Sequence, residues 1–399
     1  MRSFPKRKDG RFPSEACRNK TSRMPKVVNK SQAVSELESA IIHLVQGHGG
    51  ISRVDLARKL KLVPSTAGIY VDRLLTDGYL SESAAPSRAM GRPPIVLQLN
   101  PQAGRFVGVD FDARQILATA VDFAQQPLEQ VRRTIPLRAT VERVLETIAE
   151  AISEVVGTRR RDLLGIGLGV PGPVDAERGV SLRYAFLRDW RDVSVGPRIA
   201  ERFGVPAFVE NNLRSMALAE LWSGRGRGLR NLVCLGVRSG IGSGIIVDGK
   251  LLRGANNLAG EIGRWVYPDP KLASPFDAQR TIEDVASLSA LLTGADLPTA
   301  ADLLTALGQN DRRVTGMVAK AARVHGWIVH QLSTLFDPER VIVTGPLVED
   351  ASYLAALRES VSELGGAALA AIVEPSELGR FAGAIGAAAV AFQHWKPPR

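Results

Sequence analysis

Apolar residues recur at helical spacing in three consecutive segments between residues 31 and 76. The first, AVSELESAIIHLVQGHGG, is amphipathic and ends in glycines, and the second, ISRVDLARKL, is short. In the third, Ala67, Val71, Leu74 and Leu75 lie at i, i+4, i+7 and i+8. Pro64 suits the first helical position because its missing N–H costs nothing there. The pattern predicts three helices, with a turn before the third.

Two short β-rich runs around a glycine turn follow, in SESAAPSRAMGRPPIVLQLN. Three helices followed by a basic hairpin predict a winged helix-turn-helix over residues 31–100. Side chains off the apolar stripe, near the start of the third helix, are expected to meet base edges, and hairpin arginines to touch phosphates or a minor groove. These candidates are Ser65, Thr66, Tyr70 and Arg73 on the helix, and Arg88 and Arg92 on the hairpin. The alternative is a three-helix module that binds proteins.

Beyond residue 100 the pattern changes to that of a larger α/β body. RFVGVDFDARQILATAVDF alternates like a β-hairpin, and a helix, a buried strand and a Gly/Pro-rich loop follow it. A second series of strands and helices opens near residue 231. Two similar βββαβα halves predict a duplicated α/β fold around a cleft.

Charge is concentrated in the first 30 residues, which carry +8 of the net charge of +10. This segment, 1–30, lacks hydrophobic periodicity and is predicted to be a disordered basic tail that adds salt-sensitive affinity for DNA. The alternatives are a solubilising tail or a misassigned start codon. With two cysteines among 399 residues, a disulfide framework and a cysteine-rich zinc site are excluded. Without a signal peptide or a membrane-length apolar run, a cytoplasmic location is expected and no membrane partner.

The motifs GVPGPVD, VENN and LGVRSGIGSGIIVDGKLLRGANNLAGEIG resemble the ROK family of sugar kinases and their repressor relatives. The resemblance extends over about 31–395. It implies a duplicated actin-like (ribonuclease H-like) body, 101–399, after the winged domain. The expected lobes are 101–225 and 226–399, with the C-terminal helix returning to the first lobe.

Three departures from the kinase pattern predict that catalysis is lost, so no catalytic residue is expected. Family kinases carry Asp-x-Gly-Gly-Thr on the first strand, whereas Asp110 is followed here by Phe111-Asp112-Ala113-Arg114. Family kinases also carry a Glu-Asn-Asp motif, whose Asp is the general base that takes the proton of the sugar hydroxyl. The matching residues here are Glu210-Asn211-Asn212, and the amide of Asn212 cannot accept that proton. The family's zinc-binding cysteine cluster is missing, so neither a metal nor a cofactor is expected.

The resemblance implies that a sugar site survives in the cleft. The residues matching the family's ligand contacts are Asn211, Asn212, Glu261, Arg264 and Glu283. Arg264 stands where the family has a histidine, and a guanidinium would favour an acidic or phosphorylated sugar. The alternative is that Arg264 pairs with Glu261 or Glu283 in a site that no longer binds ligand.

Together these features predict a sequence-specific transcriptional regulator, most simply a repressor, that binds a DNA operator and a carbohydrate effector. An operator with two half-sites requires two DNA-binding domains, so a homodimer or homotetramer is expected. Two alternatives remain open. One is an active sugar kinase with an accessory DNA-binding domain; the other is a constitutive DNA-binding protein with a ligand-dead body.

Overall fold

The computed structural model describes residues 30–84, 95–136, 138–184, 186–267 and 280–398. The chain begins with a winged domain whose helices and strands are α1 (Lys30–His48), α2 (Arg53–Lys59), α3 (Pro64–Thr76), β1 (Leu80–Ala84) and β2 (Ile95–Leu99). β1 and β2 pair antiparallel, and the predicted stripe of α3 faces the domain core, with Ala67, Val71 and Leu74 buried. The predicted winged helix-turn-helix is confirmed.

The first lobe contains a five-stranded sheet and its covering helices. Its elements are β3 (Arg105–Phe111), β4 (Gln115–Asp122), β5 (Pro127–Thr134), α4 (Val141–Val156), β6 (Leu163–Val170), β7 (Val174–Asp175), β8 (Val180–Arg183), β9 (Arg191–Val193), α5 (Val195–Phe203), β10 (Ala207–Asn211) and α6 (Asn212–Ser223). The strand order is β10-β6-β3-β4-β5, while β7, β8 and β9 form a separate small sheet. β3, β4 and β5 are an antiparallel meander, to which β6 and β10 add in parallel.

The second lobe repeats this plan. Its elements are β11 (Leu232–Val237), β12 (Ile241–Val247), β13 (Lys250–Leu251), α7 (Glu283–Ala286), α8 (Leu288–Ala295), α9 (Ala300–Gly308), α10 (Arg312–Phe336), β14 (Arg340–Thr344), α11 (Ala351–Ala371, kinked at Gly366), β15 (Val373–Pro375) and α12 (Ala382–His394). The strand order is β13-β12-β11-β14-β15, again a meander followed by two parallel strands. The duplicated α/β body is therefore confirmed.

The last helix, α12, packs on the first lobe, against β3, β6 and α6. Gly108 of β3 and Gly167 of β6 permit this approach, because a Cβ at either position would overlap the α12 backbone at Ala384 or Ala387. Every residue of α12 from Ala382 to Phe392 is buried. A helix whose side chains are apolar on every face is typical of a helix that is buried on every face, and α12 is buried in this way.

The other end of α12 packs against the winged domain through an aromatic cluster made of Tyr79, Phe106, Phe123, Phe392 and Trp395. Ring centroids of Tyr79 and Trp395 are 5.1 Å apart, and those of Phe123 and Trp395 are 5.2 Å apart. The cluster belongs to one apolar core that continues into the winged domain. The winged domain and the body thus share a core. In the part of the chain described here, no helix is long and apolar enough to cross a membrane.

Candidate nucleic-acid interface and ligand cleft

The start of α3 carries the exposed side chains expected of a recognition helix. Pro64 occupies the first turn, and Ser65 and Thr66 are both exposed. Tyr70, one turn further, is half-buried and packs against the domain core. Short hydroxyl side chains at a helix start can reach base edges or phosphates in a groove. Arg88 and Arg92, the predicted hairpin contacts, lie outside the described residues.

Arg73 does not lie near the start of α3, where the sequence analysis placed it, but in the last turn. Its guanidinium Nη1 lies 3.1 Å from Oε1 of Glu38 on α1, and Glu38 is buried. A nearly buried carboxylate needs a counter-charge, so Arg73 holds α3 against α1. Its place could have been read from the sequence, because Arg73 lies nine residues after Pro64, which is about two and a half helical turns.

Two apolar side chains on the same surface were not predicted. Val63 immediately precedes α3 and is 65% exposed, and Ile69, in its second turn, is 64% exposed. Ile69 is absent from the buried stripe of Ala67, Val71 and Leu74. The exposure of Ile69 could have been predicted from the helical pattern, because an apolar residue that lies off the core-facing stripe of a helix points away from the core.

The cleft between the lobes is bridged by an ion pair at the end of β3. Nη1 of Arg238, which follows β11, lies 2.9 Å from Oδ2 and 3.1 Å from Oδ1 of Asp110. Nη2 lies 3.7 Å from Asp112. Asp110 is wholly buried, and this burial raises the pKa of its carboxyl, while Arg238 lowers it. A guanidinium from the second lobe thus occupies the turn where the kinase pattern would place glycines for a phosphate.

Asn211 and Asn212, both predicted ligand residues, already have protein partners. Asn211 caps α6: its Oδ1 accepts hydrogen bonds from the N–H groups of Leu213 (2.9 Å) and Arg214 (3.2 Å). Its Nδ2 donates to the Gly172 carbonyl at 3.0 Å. Asn212 is buried, and its side chain lowers the pKa of the neighbouring Asp110 carboxyl. Asn211 therefore acts as a helix cap, whereas Asn212 lies beside the bridge between the lobes.

A second ion-pair network lies behind these asparagines. One oxygen of the buried Glu210 accepts from Arg214 Nε and the other from Arg253 Nε, both at 2.7 Å. Arg214 also donates to the Asn257 carbonyl at 2.9 Å. Arg253 and Asn257 follow β13, so Glu210 connects the two lobes. Neither Arg214 nor Arg253 was predicted: Arg214 lies four residues after Glu210, a helical spacing that was available in the sequence, whereas Arg253 lies 43 residues from Glu210.

Glu261, Arg264 and Glu283 lie together on the second-lobe side of the cleft. Burial raises the pKa of the Glu261 carboxyl, while Arg214 and Arg264 lower it. Burial also raises the pKa of Glu283, whose Oε2 accepts from the Ile241 N–H at 3.0 Å, and the charge of Glu261 raises it further. Arg264 is exposed at the rim. Two half-buried carboxyls beside a cation can bind a polyol through hydrogen bonds.

The cleft also contains a cavity of about 1500 Å³ that is lined in part by Arg238. Among the described residues its lining includes Asp112, Arg114, Arg238, Phe186 and Thr344, and none of the five predicted ligand residues. Arg238 therefore lines the cavity, whereas the carboxyl pair of Glu261 and Glu283 lies outside its lining. We take the carboxyl pair as the candidate polyol site because its groups, rather than its volume, match a sugar.

Comparison with known proteins agrees with this architecture. A family model described as "ROK family" matches residues 106–394, and one described as "Winged helix-turn-helix DNA-binding" matches residues 35–81. The chain is 27% identical to the xylose repressor of Caldicellulosiruptor bescii over 73% of this chain and 78% of that protein. It is 30% identical to a glucokinase of Streptomyces coelicolor over 72% of this chain and 98% of that protein. A crystal structure of a ROK family transcriptional regulator, a homologue of the Escherichia coli Mlc protein, superimposes with a TM-score of 0.73 at 21% identity, covering 90% of this chain and 97% of the other.

Proposed function

This chain belongs to the ROK family, and on that premise we propose that it is a sequence-specific DNA-binding transcriptional repressor that responds to a carbohydrate effector. The names of its relatives include both repressors and glucokinases. The winged domain favours the repressor function. We further propose that the protein acts in the cytoplasm as a homodimer or homotetramer, because two half-sites need two readers.

The observation that carries the proposal is the position of α12 between the cleft and the winged domain. At its first turn, a Cβ on Gly383 would lie 2.5 Å from Oδ2 of Asp110, so the helix start touches the cleft bridge. Just beyond its last turn, the Ser39 hydroxyl donates to the Trp395 carbonyl at 3.4 Å. A helix of 13 residues spans about 20 Å. A movement of the lobes at Asp110 could therefore be transmitted through the rigid helix α12 to α1 of the winged domain.

Loss of kinase activity is part of the proposal. The general base of the family kinases is replaced by the Asn212 amide, which does not titrate near neutral pH. Arg238 occupies the turn beside Asp110, where the side-chain-free backbone of a kinase would meet a phosphate. Both changes act against phosphoryl transfer, so ligand binding would serve regulation alone.

The energies required are modest. A 10- to 100-fold change in operator affinity corresponds to a coupling of about 1.4–2.8 kcal/mol between effector and DNA. Binding of a polyol by Glu261 and Glu283 supplies coupling only if it differs between the open and closed lobes. Because Arg238 bridges the lobes beside this site, a ligand that alters its contacts would satisfy that condition.

The test is fluorescence anisotropy of the full chain on DNA upstream of its own gene, at physiological salt with competitor DNA. A panel of sugars, sugar acids and sugar phosphates is added in turn. Competitor-resistant binding that one compound shifts supports the proposal. Binding that no compound shifts indicates a constitutive DNA-binding protein, and no specific binding together with ATP-dependent phosphorylation of a hexose indicates a kinase.

A pair of matched variants localises the DNA contact. Ser65→Ala with Thr66→Ala removes two exposed hydroxyls from the first turn of α3 and is expected to weaken specific binding. Thr76→Ala removes an exposed hydroxyl at the far end of the same helix and should leave affinity unchanged. Equal affinities for both variants would place the contact elsewhere.

A further inference from the structure

The recognition helix has few side chains of the types that form bidentate contacts to guanine or adenine. Its sequence, PSTAGIYVDRLLT, contains no Asn, Gln or Lys, and its single arginine, Arg73, pairs with Glu38. Bidentate contacts to guanine come from Arg or Lys, and those to adenine from Asn or Gln. α3 therefore offers hydroxyls, from Ser65 and Thr66, but no free bidentate reader.

What α3 presents in their place is apolar. Val63 and Ile69 are both about two-thirds exposed and lie before and after the exposed hydroxyl pair. Ile69 lies four residues after Ser65, so the two side chains share one face of the helix. We refer to Val63 and Ile69 as the apolar reading pair.

The surroundings of this pair are cationic, which favours DNA over a second protein copy as its occupant. Arg58, Lys59 and Lys61 are exposed just before α3, where Arg58 also pairs with Asp55, and the whole chain has a net charge of +10. Phosphates on both sides of a groove attract such a surface, whereas two identical cationic surfaces repel each other. The apolar group that the major groove presents is the 5-methyl of thymine.

We propose that the apolar reading pair recognises thymine methyl groups, so that Ile69 and Val63 are specificity-determining residues of the operator contact. This inference rests on the proposed DNA-binding function and adds which bases are read. Each half-site then contains at least one thymine whose methyl packs against Ile69. Removing one such methyl is expected to weaken binding about fourfold, as for the loss of one buried methyl-sized group.

The experiment replaces each operator thymine in turn by deoxyuridine, which keeps base pairing and lacks only the methyl. Wild-type protein should lose about fourfold in affinity at one or two positions of each half-site and nothing elsewhere. Ile69→Ala should bind the thymine and deoxyuridine duplexes equally at one of those positions, and Val63→Ala at another. Leu335→Ala, which truncates a 66% exposed residue of α10, is the control and should retain full sensitivity.

Thermal unfolding and sedimentation accompany each variant, and both should match wild type because the truncated side chains are exposed. Three results would overturn the inference: wild-type binding that ignores every thymine methyl, an Ile69→Ala protein with undiminished sensitivity, or a change of oligomeric state in that variant. The last would assign the pair to a protein interface. Absence of any specific DNA binding would overturn the proposed function as well, which separates the two failures.

Discussion

Replacing Arg238 by alanine tests whether the bridge across the cleft stabilises the body. Nη1 of Arg238 lies 2.9 Å from the wholly buried Asp110, and Arg238 itself is almost buried. Removing the cation leaves a buried carboxylate without its counter-charge, which costs about 3–5 kcal/mol of unfolding free energy. We expect the variant to unfold at a clearly lower urea concentration near neutral pH, followed by tryptophan fluorescence.

The loss should depend on pH with a defined sign. Burial raises the pKa of Asp110 above its ordinary value even beside Arg238, and without Arg238 the pKa rises further. A carboxyl with a higher pKa in the folded state binds more protons when folded, so stability falls as pH rises through that pKa. Arg238→Ala should therefore lose most stability at neutral to alkaline pH and recover part of it on acidification.

Two further variants make the reasoning refutable. Asp110→Asn combined with Arg238→Ala removes both charges and should be more stable than Arg238→Ala alone. Arg230→Ala breaks an ion pair with Asp248 of similar length, 2.8 Å, but exposed on both sides, and should cost less than about 1 kcal/mol. Wild-type stability of Arg238→Ala, or no recovery in the double variant, would refute a stabilising bridge.

Three other outcomes are expected. Gly167→Ala should destabilise the body by more than about 3 kcal/mol in urea unfolding, because the new Cβ would overlap α12. Gly316→Ala is the control: this glycine lies on α10 with open space around it, so the variant should be more stable than wild type by about 0.5–1 kcal/mol. Similar changes in unfolding free energy for the two variants would contradict this packing. A ring nitrogen of His43 lies 3.3 Å from the Phe392 carbonyl, and burial lowers the pKa of this imidazole. The contribution of His43 to the unfolding free energy is therefore fully present above the ordinary His pKa, and it is lost as pH falls from that value through the lowered pKa of the folded state. Thermal unfolding of His43→Leu should lack that component, and an unchanged pH profile would exclude it. Asn212→Asp should yield no ATP-dependent phosphorylation of hexoses in a coupled assay, because Arg238 still occupies the turn beside Asp110; measurable turnover would show that this arginine does not exclude phosphate.

The elements of the fold were predictable because local periodicity carries them. The i, i+4, i+7 stripe of α3 placed Ala67, Val71 and Leu74 in the core, and the repeated strand pattern predicted two similar lobes. The polar contacts were not predictable in the same way, because their partners are distant in sequence. Arg238 meets Asp110 across 128 residues and Arg73 meets Glu38 across 35. Neither spacing leaves a periodic signal.

The ligand residues show a further limit of motif matching. The match to the family motif identified Asn211 by residue type, yet its amide caps α6, a role that depends on backbone N–H groups being left free at the helix start. Asn212, Glu261 and Glu283 do lie in the cleft region, but the ion pair that bridges the lobes there depends on Arg238, which belongs to none of the matched ligand positions. Their roles in binding remain predictions.

The aromatic cluster joins residues that are synthesised at very different times. Tyr79 and Phe123 leave the ribosome roughly 300 residues before Trp395, and at 5–20 residues per second that interval lasts about 15–60 s. Throughout it, the apolar surface that α12 will cover is open to water and to other nascent chains. Until α12 is made, the incomplete chain therefore exposes an apolar surface that the finished protein buries, and such a surface favours aggregation. A chain that ends shortly before Ala382 lacks α12, and we expect it to aggregate or be degraded rather than to persist as a free DNA-binding fragment.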